Sequence, residues 1–290
     1  MPAKSLKAHW IQFPYKEQAT ALTGRALEKS WERLHRGDRE PWPDAKRVAA
    51  VHRHDPAARA LLAAADADGA LSARIVEAWS AFHQGDFGEA WRAGNELGAL
   101  GAVVACKAVG VYVTYLEDRK PRAEALLEEA VALAARAAEG APGLANAHYV
   151  HAFVLGRLSQ RISVVKALAT GHATRVRQSL ERALKLEPKH ADAHIALGLY
   201  HAEIVGKVGA LAARLTYGAS GEAAVRHFKE AIRLFPESAI AHMEYGNGLL
   251  AVYGAARRDE AVRLYERAAS FEPFDAMERL DVEQARAELD

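Results

Sequence analysis

One spacing recurs three times in the second half of this 290-residue chain and restricts what it can fold into. It reads small or aliphatic residue, three residues, bulky residue, two residues, Ala, four residues, Pro. Val176, Leu180, Ala183 and Pro188 follow it, as do Ala224, Phe228, Ala231 and Pro236, and again Ala261, Tyr265, Ala268 and Pro273. At 3.6 residues per turn the first three positions of each set share one helix face. The small residues let a neighbouring helix approach and the bulky one fills the gap. The proline ends the helix and sets the turn into the next unit. Repeated helical hairpins follow.

The helices expected to precede these carry a bulky-Gly pair: Val109-Gly110, Leu155-Gly156, Leu197-Gly198 and Tyr245-Gly246. A glycine there removes the Cβ and is expected to admit the backbone of the partner helix. Taken together these residues resemble the tetratricopeptide repeat (TPR) family, in four hairpins between about Gly101 and Pro273. A fifth is expected around Gln84-Gly85-Asp86-Phe87 and Ala90. The resemblance implies a right-handed superhelix of antiparallel helix pairs with a concave, peptide-binding groove. The expected fold class is all-α, a TPR-like α-solenoid with overlong, irregular repeats.

Composition agrees. The chain has 63 alanines and 10 prolines, and Ala is the best helix former, with a side chain small enough for thin seams. A first helix is expected from about Lys16 to His35, ending at Gly37-Asp38. The rigid link Pro41-Trp42-Pro43 follows, then short helices to about Arg53 and from Pro56 to Ala65. Ser238 and Asp275 stand where N-caps belong. We expect an N-terminal helical cap over 1–70, about five hairpins over 71–273 and a capping helix in 274–290, which supplies the polar outer face a helical array needs. Trp10, Phe13, Pro14 and Tyr15 must bury in an otherwise extended stretch. Packing across the first helices as a cap is the expected role, a partner-docking arm the alternative.

Charge and special residues exclude several classes. A net charge of +1 argues against nucleic acid and anionic membranes as partners. The first residues lack the apolar core of a secretory signal, and no stretch reaches 18 uncharged apolar residues, so a cytoplasmic protein without membrane insertion is expected. Cys106, the single cysteine, excludes an intrachain disulfide and multi-cysteine metal centres. It lies in an apolar helix, where packing next to Gly110 is its expected role. No phosphate loop, dinucleotide fingerprint or nucleophile elbow occurs, so neither cofactor nor enzyme activity is expected.

Thirteen histidines raise a metal reading. His190, His194 and His201 lie close in sequence, with Asp192 and Glu203 nearby, and His148 and His151 form a weaker pair. His194 and His201 fall at positions of large packing residues, so packing rather than a metal site is expected. Asp66 to Ser72, DADGALS, imitates the middle of a calcium loop but has Ala64 and Ile75 at its outer ligand positions; a helix stop with Ser72 as N-cap is expected instead.

The groove, counted from the glycines, is expected to be lined by four groups. These are Lys107, Val111, Thr114 and Tyr115; Phe153, Arg157, Gln160 and Arg161; Asp192, Ile195, Leu199 and Glu203; and Met243, Asn247 and Leu250. This set lacks the Lys/Asn pattern with which similar chaperone-binding relatives clamp a C-terminal carboxylate. The expected function is a non-catalytic scaffold holding a peptide or protein segment. A His-dependent enzyme is the rival.

The repeats exceed the family period of about 34 residues. Pro188 to Pro236 spans 48 and Pro236 to Pro273 spans 37. Extra residues fall near 162–171 and 205–218, apolar segments that each contain a lysine. Such overlong repeats are similar to the T-component of TRAP transporters, which implies an internal ligand passage, and also to uncharacterised bacterial TPR proteins. Apolar inserts must fold back: as helix extensions of the core, as a homodimer seam, or as walls of a cavity. Arg161, Lys166, Lys207, Arg214 and Tyr217 would orient a small anionic ligand in such a cavity.

Overall fold

The computed structural model describes residues 10–15, 22–51, 70–162 and 170–289, together with the isolated positions 56, 58, 60 and 63. It is all-α, built of packed helix pairs, with no strand among the described residues. Apart from those four positions, which are helical, the expected helix Pro56–Ala65 lies outside them, as do Asp66–Gly69 of the calcium-loop mimic and most of the first insert, including Lys166.

The helices are α1 (Gly24–Leu34), α2 (Ala45–Val51), α3 (Ala70–His83), α4 (Phe87–Glu96), α5 (Ala102–Tyr115), α6 (Lys120–Gly140) and α7 (Ala145–Arg161). There follow α8 (His172–Leu186), α9 (Ala191–Val208), α10 (Gly221–Leu234), α11 (Ala239–Tyr253), α12 (Arg258–Ala269) and α13 (Ala276–Ala287). The chain divides into two compact units. One comprises Met1–Ser30 and Trp42–Ala169, the other Trp31–Pro41 and Thr170–Asp290.

In the first unit α3 pairs with α4 and α5 with α6, and α7 lies against both α5 and α6. The α3–α4 turn is the expected one. Gly85 has φ +84, a backbone that L side chains avoid, and the Asp86 carboxylate accepts the Glu89 N–H at 3.1 Å as N-cap. α5 is apolar on all sides and almost wholly buried. The 18-residue stretch Gly98–Tyr115 is apolar enough to span a membrane, yet most of it lies inside this unit. Cys106 is fully buried beside Ala130, whose carbonyl accepts its thiol at 3.4 Å. Ser72 is no N-cap, because α3 already begins at Ala70; its hydroxyl donates to the Pro43 carbonyl.

In the second unit α9 pairs with α10 and α11 with α12; α8 lies on α9, α9 on α11, and α13 closes on α11 and α12. The repeat positions behave as the spacing requires: Leu180, Ala183, Ala224, Phe228, Ala231, Ala261, Tyr265 and Ala268 are all buried. Ser238 and Asp275 cap α11 and α13, accepting N–H bonds at 3.3 and 2.8 Å.

The glycines act differently from expectation. Gly198 and Gly246 admit an aromatic ring of the second helix rather than its backbone. A Cβ on Gly198 would lie 2.9 Å from Phe228, and one on Gly246 would lie 2.7 Å from Tyr265. Gly110 admits the ring of Phe153 from α7, and Gly156 faces open space. Backbone-to-backbone approach occurs at Gly94 and Gly101 instead, where a Cβ on Gly94 would lie 2.8 Å from the Gly101 carbonyl oxygen.

Residues Trp31–Pro41 belong to the second unit through specific contacts. Arg33 lies between the rings of Phe235 and Phe274, 5.2 and 5.3 Å from their centroids, and binds both carboxylate oxygens of Glu278. The Gly37 carbonyl accepts the Asp192 N–H at 3.1 Å.

Candidate functional site

The residues expected to line a groove separate into two sets. Lys107, Val111, Ile195 and Met243 are buried, which corrects their assignment as groove-lining residues. Lys107, 4% exposed, lies with its ammonium 5.9 Å from the centre of the Phe82 ring. Ile195 belongs to the core formed around Phe228, and Met243 to the core around Tyr265. The physical reason is the fold's density: helices that touch neighbours on two sides leave only a narrow free strip.

The others keep some exposure. On α5 and α7 these are Thr114, Tyr115, Phe153, Arg157, Gln160 and Arg161. The Arg157 guanidinium lies over Phe153 at 5.5 Å and donates to Gln160 at 3.2 Å. Arg161 donates to the Val113 and Glu117 carbonyls, and so satisfies the C-terminal end of α5. Thr114 donates to its own helix at the Gly110 carbonyl. On α9 and α11 the set is Asp192, Leu199, Glu203, Asn247 and Leu250. Leu199 and Leu250 are half-buried on the two cores. Asn247 donates to Glu244 and accepts from the Tyr265 hydroxyl at 2.7 Å, which fixes its amide. Asp192 is drawn against Gly37.

The histidines form a cluster that sequence spacing concealed. His190 is fully buried and its Nδ1 accepts the Ala193 N–H at 3.1 Å, so it is an N-cap. His194 meets His227 of α10, 33 positions away, Nδ1 to Nδ1 at 2.9 Å, and His201 stacks on His227 with centroids 5.8 Å apart. The hydrogen bonds assign the tautomers. His194 Nε2 faces the Pro188 carbonyl at 3.2 Å and must donate to it. Its Nδ1 then accepts from His227 Nδ1–H. His201 Nδ1 accepts the Ser220 N–H at 3.4 Å. Burial pushes His201 and His227 down to about 4, helped by neighbouring Arg177 and Arg226 on His201 and by the other two histidines on His227. All three rings are thus neutral near pH 7. Among the described residues no group of three or more His, Cys, Asp or Glu is placed to hold a metal.

The rings of His201 and His227 border an open pocket of about 720 Å³ with Arg177, Lys185, Arg214 and Arg226 on its lining. Of the expected cavity residues, Arg214 is present there. Lys207 instead pairs with Glu203 at 2.8 Å, and Tyr217 offers its carbonyl to Arg177 and Tyr200. The second insert folds back only in part: Val205 and Ala213 are buried, but Leu211 and Leu215 are 73% and 76% exposed.

No curated protein matches the sequence. Among solved structures, the crystal structure of MamA protein aligns at 18% identity over 76% of this chain and 95% of that one, with a TM-score of 0.40. None of these matches supports the similarity to the T-component of TRAP transporters. The family model described as "Regulator of microtubule dynamics protein 1-3" matches residues 103–289, from the start of α5 to beyond α13, and by this match over more than half its length the chain belongs to that family.

Proposed function

We propose that this chain is a non-catalytic helical-repeat protein that holds a peptide or protein segment on the free strip of its first helices. One observation carries the reading: Leu199 and Glu203 of α9 and Asn247 and Leu250 of α11 keep a half-buried, mixed apolar and polar character across two adjacent first helices. Such a surface supplies an anchor and orienting groups to an extended partner. The family's description names microtubule dynamics, so tubulin and microtubule-bound proteins are the first partners to try. A photo-crosslinking residue placed at Leu199 or Asn247 should trap a partner that the same residue at Lys229, on the outer face of α10, does not. Equal trapping at all three positions would overturn the reading.

The pocket beside His201 favours a second reading, a small anionic ligand, because four cations line it against the two carboxylates of Glu181 and Glu222. Calorimetric titration with inorganic phosphate and with a dicarboxylate tests it, and loss of heat in Arg214→Ala/Arg226→Ala is the expected signature.

A further inference from the structure

Residues 10–15, WIQFPY, are held in the first unit as a bound peptide would be. Trp10 lies on Tyr112 with ring centres 4.2 Å apart, and the Arg122 guanidinium lies 5.9 Å from the Trp10 ring centre. Phe13 is buried edge-on to Phe87. Ile11, Gln12 and Pro14, between and beyond the two anchors, are exposed.

The surface that receives them is shaped for this. A Cβ on Gly88 would lie 2.8 Å from the Trp10 ring and one on Gly85 would lie 2.5 Å from Phe13, so both rings rest where only glycine leaves room. The polar side is equally specific. The Ile11 N–H donates to the Tyr112 hydroxyl at 3.0 Å, and that hydroxyl donates to Glu117 at 3.1 Å. The Glu117 side chain is fully buried, and it is held by Arg119 at 2.7 Å and by an ion pair with Arg122 at 2.9 Å. A buried hydroxyl oriented by a buried carboxylate to receive one main-chain N–H is how a protein reads an extended backbone; plain apolar capping does not need it.

We propose that the surface around Gly85, Gly88 and Tyr112 is a docking site for an extended partner segment bearing Trp at one position and Phe-Pro three residues on, and that the chain's own residues 10–15 are its resident, displaceable ligand. This is independent of the first-helix strip on α9 and α11, so failure of one leaves the other standing.

The test uses the full-length chain with Trp10→Ala/Phe13→Ala, which empties the site, and a fluorescently labelled peptide of residues 8–17. The peptide should bind this variant one to one, raise its melting temperature, and bind the wild-type chain at least tenfold more weakly. A peptide with Ala at both anchors should not bind, and adding Tyr112→Phe to the emptied variant should weaken binding severalfold. No binding to a folded emptied variant, or equal binding to the wild type, would overturn the proposal. If the double variant loses its helical signal, hydrogen exchange on the wild type decides. Excess peptide must accelerate exchange of the Ile11 amide, and unchanged exchange counts against displacement.

Discussion

The ring of Phe228 lies so close to Gly198 that a Cβ on that glycine would stand 2.9 Å from it, and Gly248 on α11 bounds the same ring from a neighbouring helix. One aromatic side chain thereby joins three helices, α9, α10 and α11. A bulky residue whose neighbours have given up their side chains cannot shift to relieve a clash.

Gly198→Ala and Gly246→Ala should therefore destabilise the chain by about 1–3 kcal/mol each, as overpacking does. Gly156→Ala, in a helix and facing open space, should stabilise by roughly 0.5–1 kcal/mol. Urea unfolding of the three variants measures the contrast, and a uniform effect would refute it.

Acid should act through the histidine cluster. Burial holds His201 and His227 near 4 and lowers His194 and His242 as well, whereas unfolded histidines titrate near about 6.5. Between those values the unfolded chain binds more protons, so stability rises with pH. It is complete above about 6.5 and falls as the pH drops toward 4. Melting curves from pH 7.5 to 4.5 should show this slope, and His227→Phe should flatten it. An identical slope in the variant would exclude the cluster as its source.

The exposure of Leu211 and Leu215 makes a separate prediction. Leu211→Asp/Leu215→Asp should change stability by no more than about 0.5 kcal/mol, because neither side chain packs in the chain. Loss of about 2 kcal/mol or more would show that the segment folds back further than described.

The repeat grammar was readable because it encodes a seam directly. Alanines at Ala224 and Ala231 around Phe228 specify where two helices meet, whatever lies farther off. The caps Ser238 and Asp275 were readable for the same local reason. What the sequence could not show is pairing across distance. His194 looked like a partner of His190, four residues away, but its neighbour is His227 on the next helix. Lys107 looked free because lysine usually is; its place in α5, enclosed by neighbours, takes it inside. Arg33, far from Glu278 in sequence, gave no sign of binding it.

The central claim is that a partner is held on the free strip of α9 and α11. It is tested most directly by binding of the partner trapped through Asn247 to Leu199→Asp/Asn247→Asp, measured beside Lys229→Glu. The account predicts at least tenfold weaker binding for the first variant at a temperature where its helical signal is intact, and wild-type binding for the second. Undiminished binding by Leu199→Asp/Asn247→Asp, or equal loss in Lys229→Glu, would contradict it.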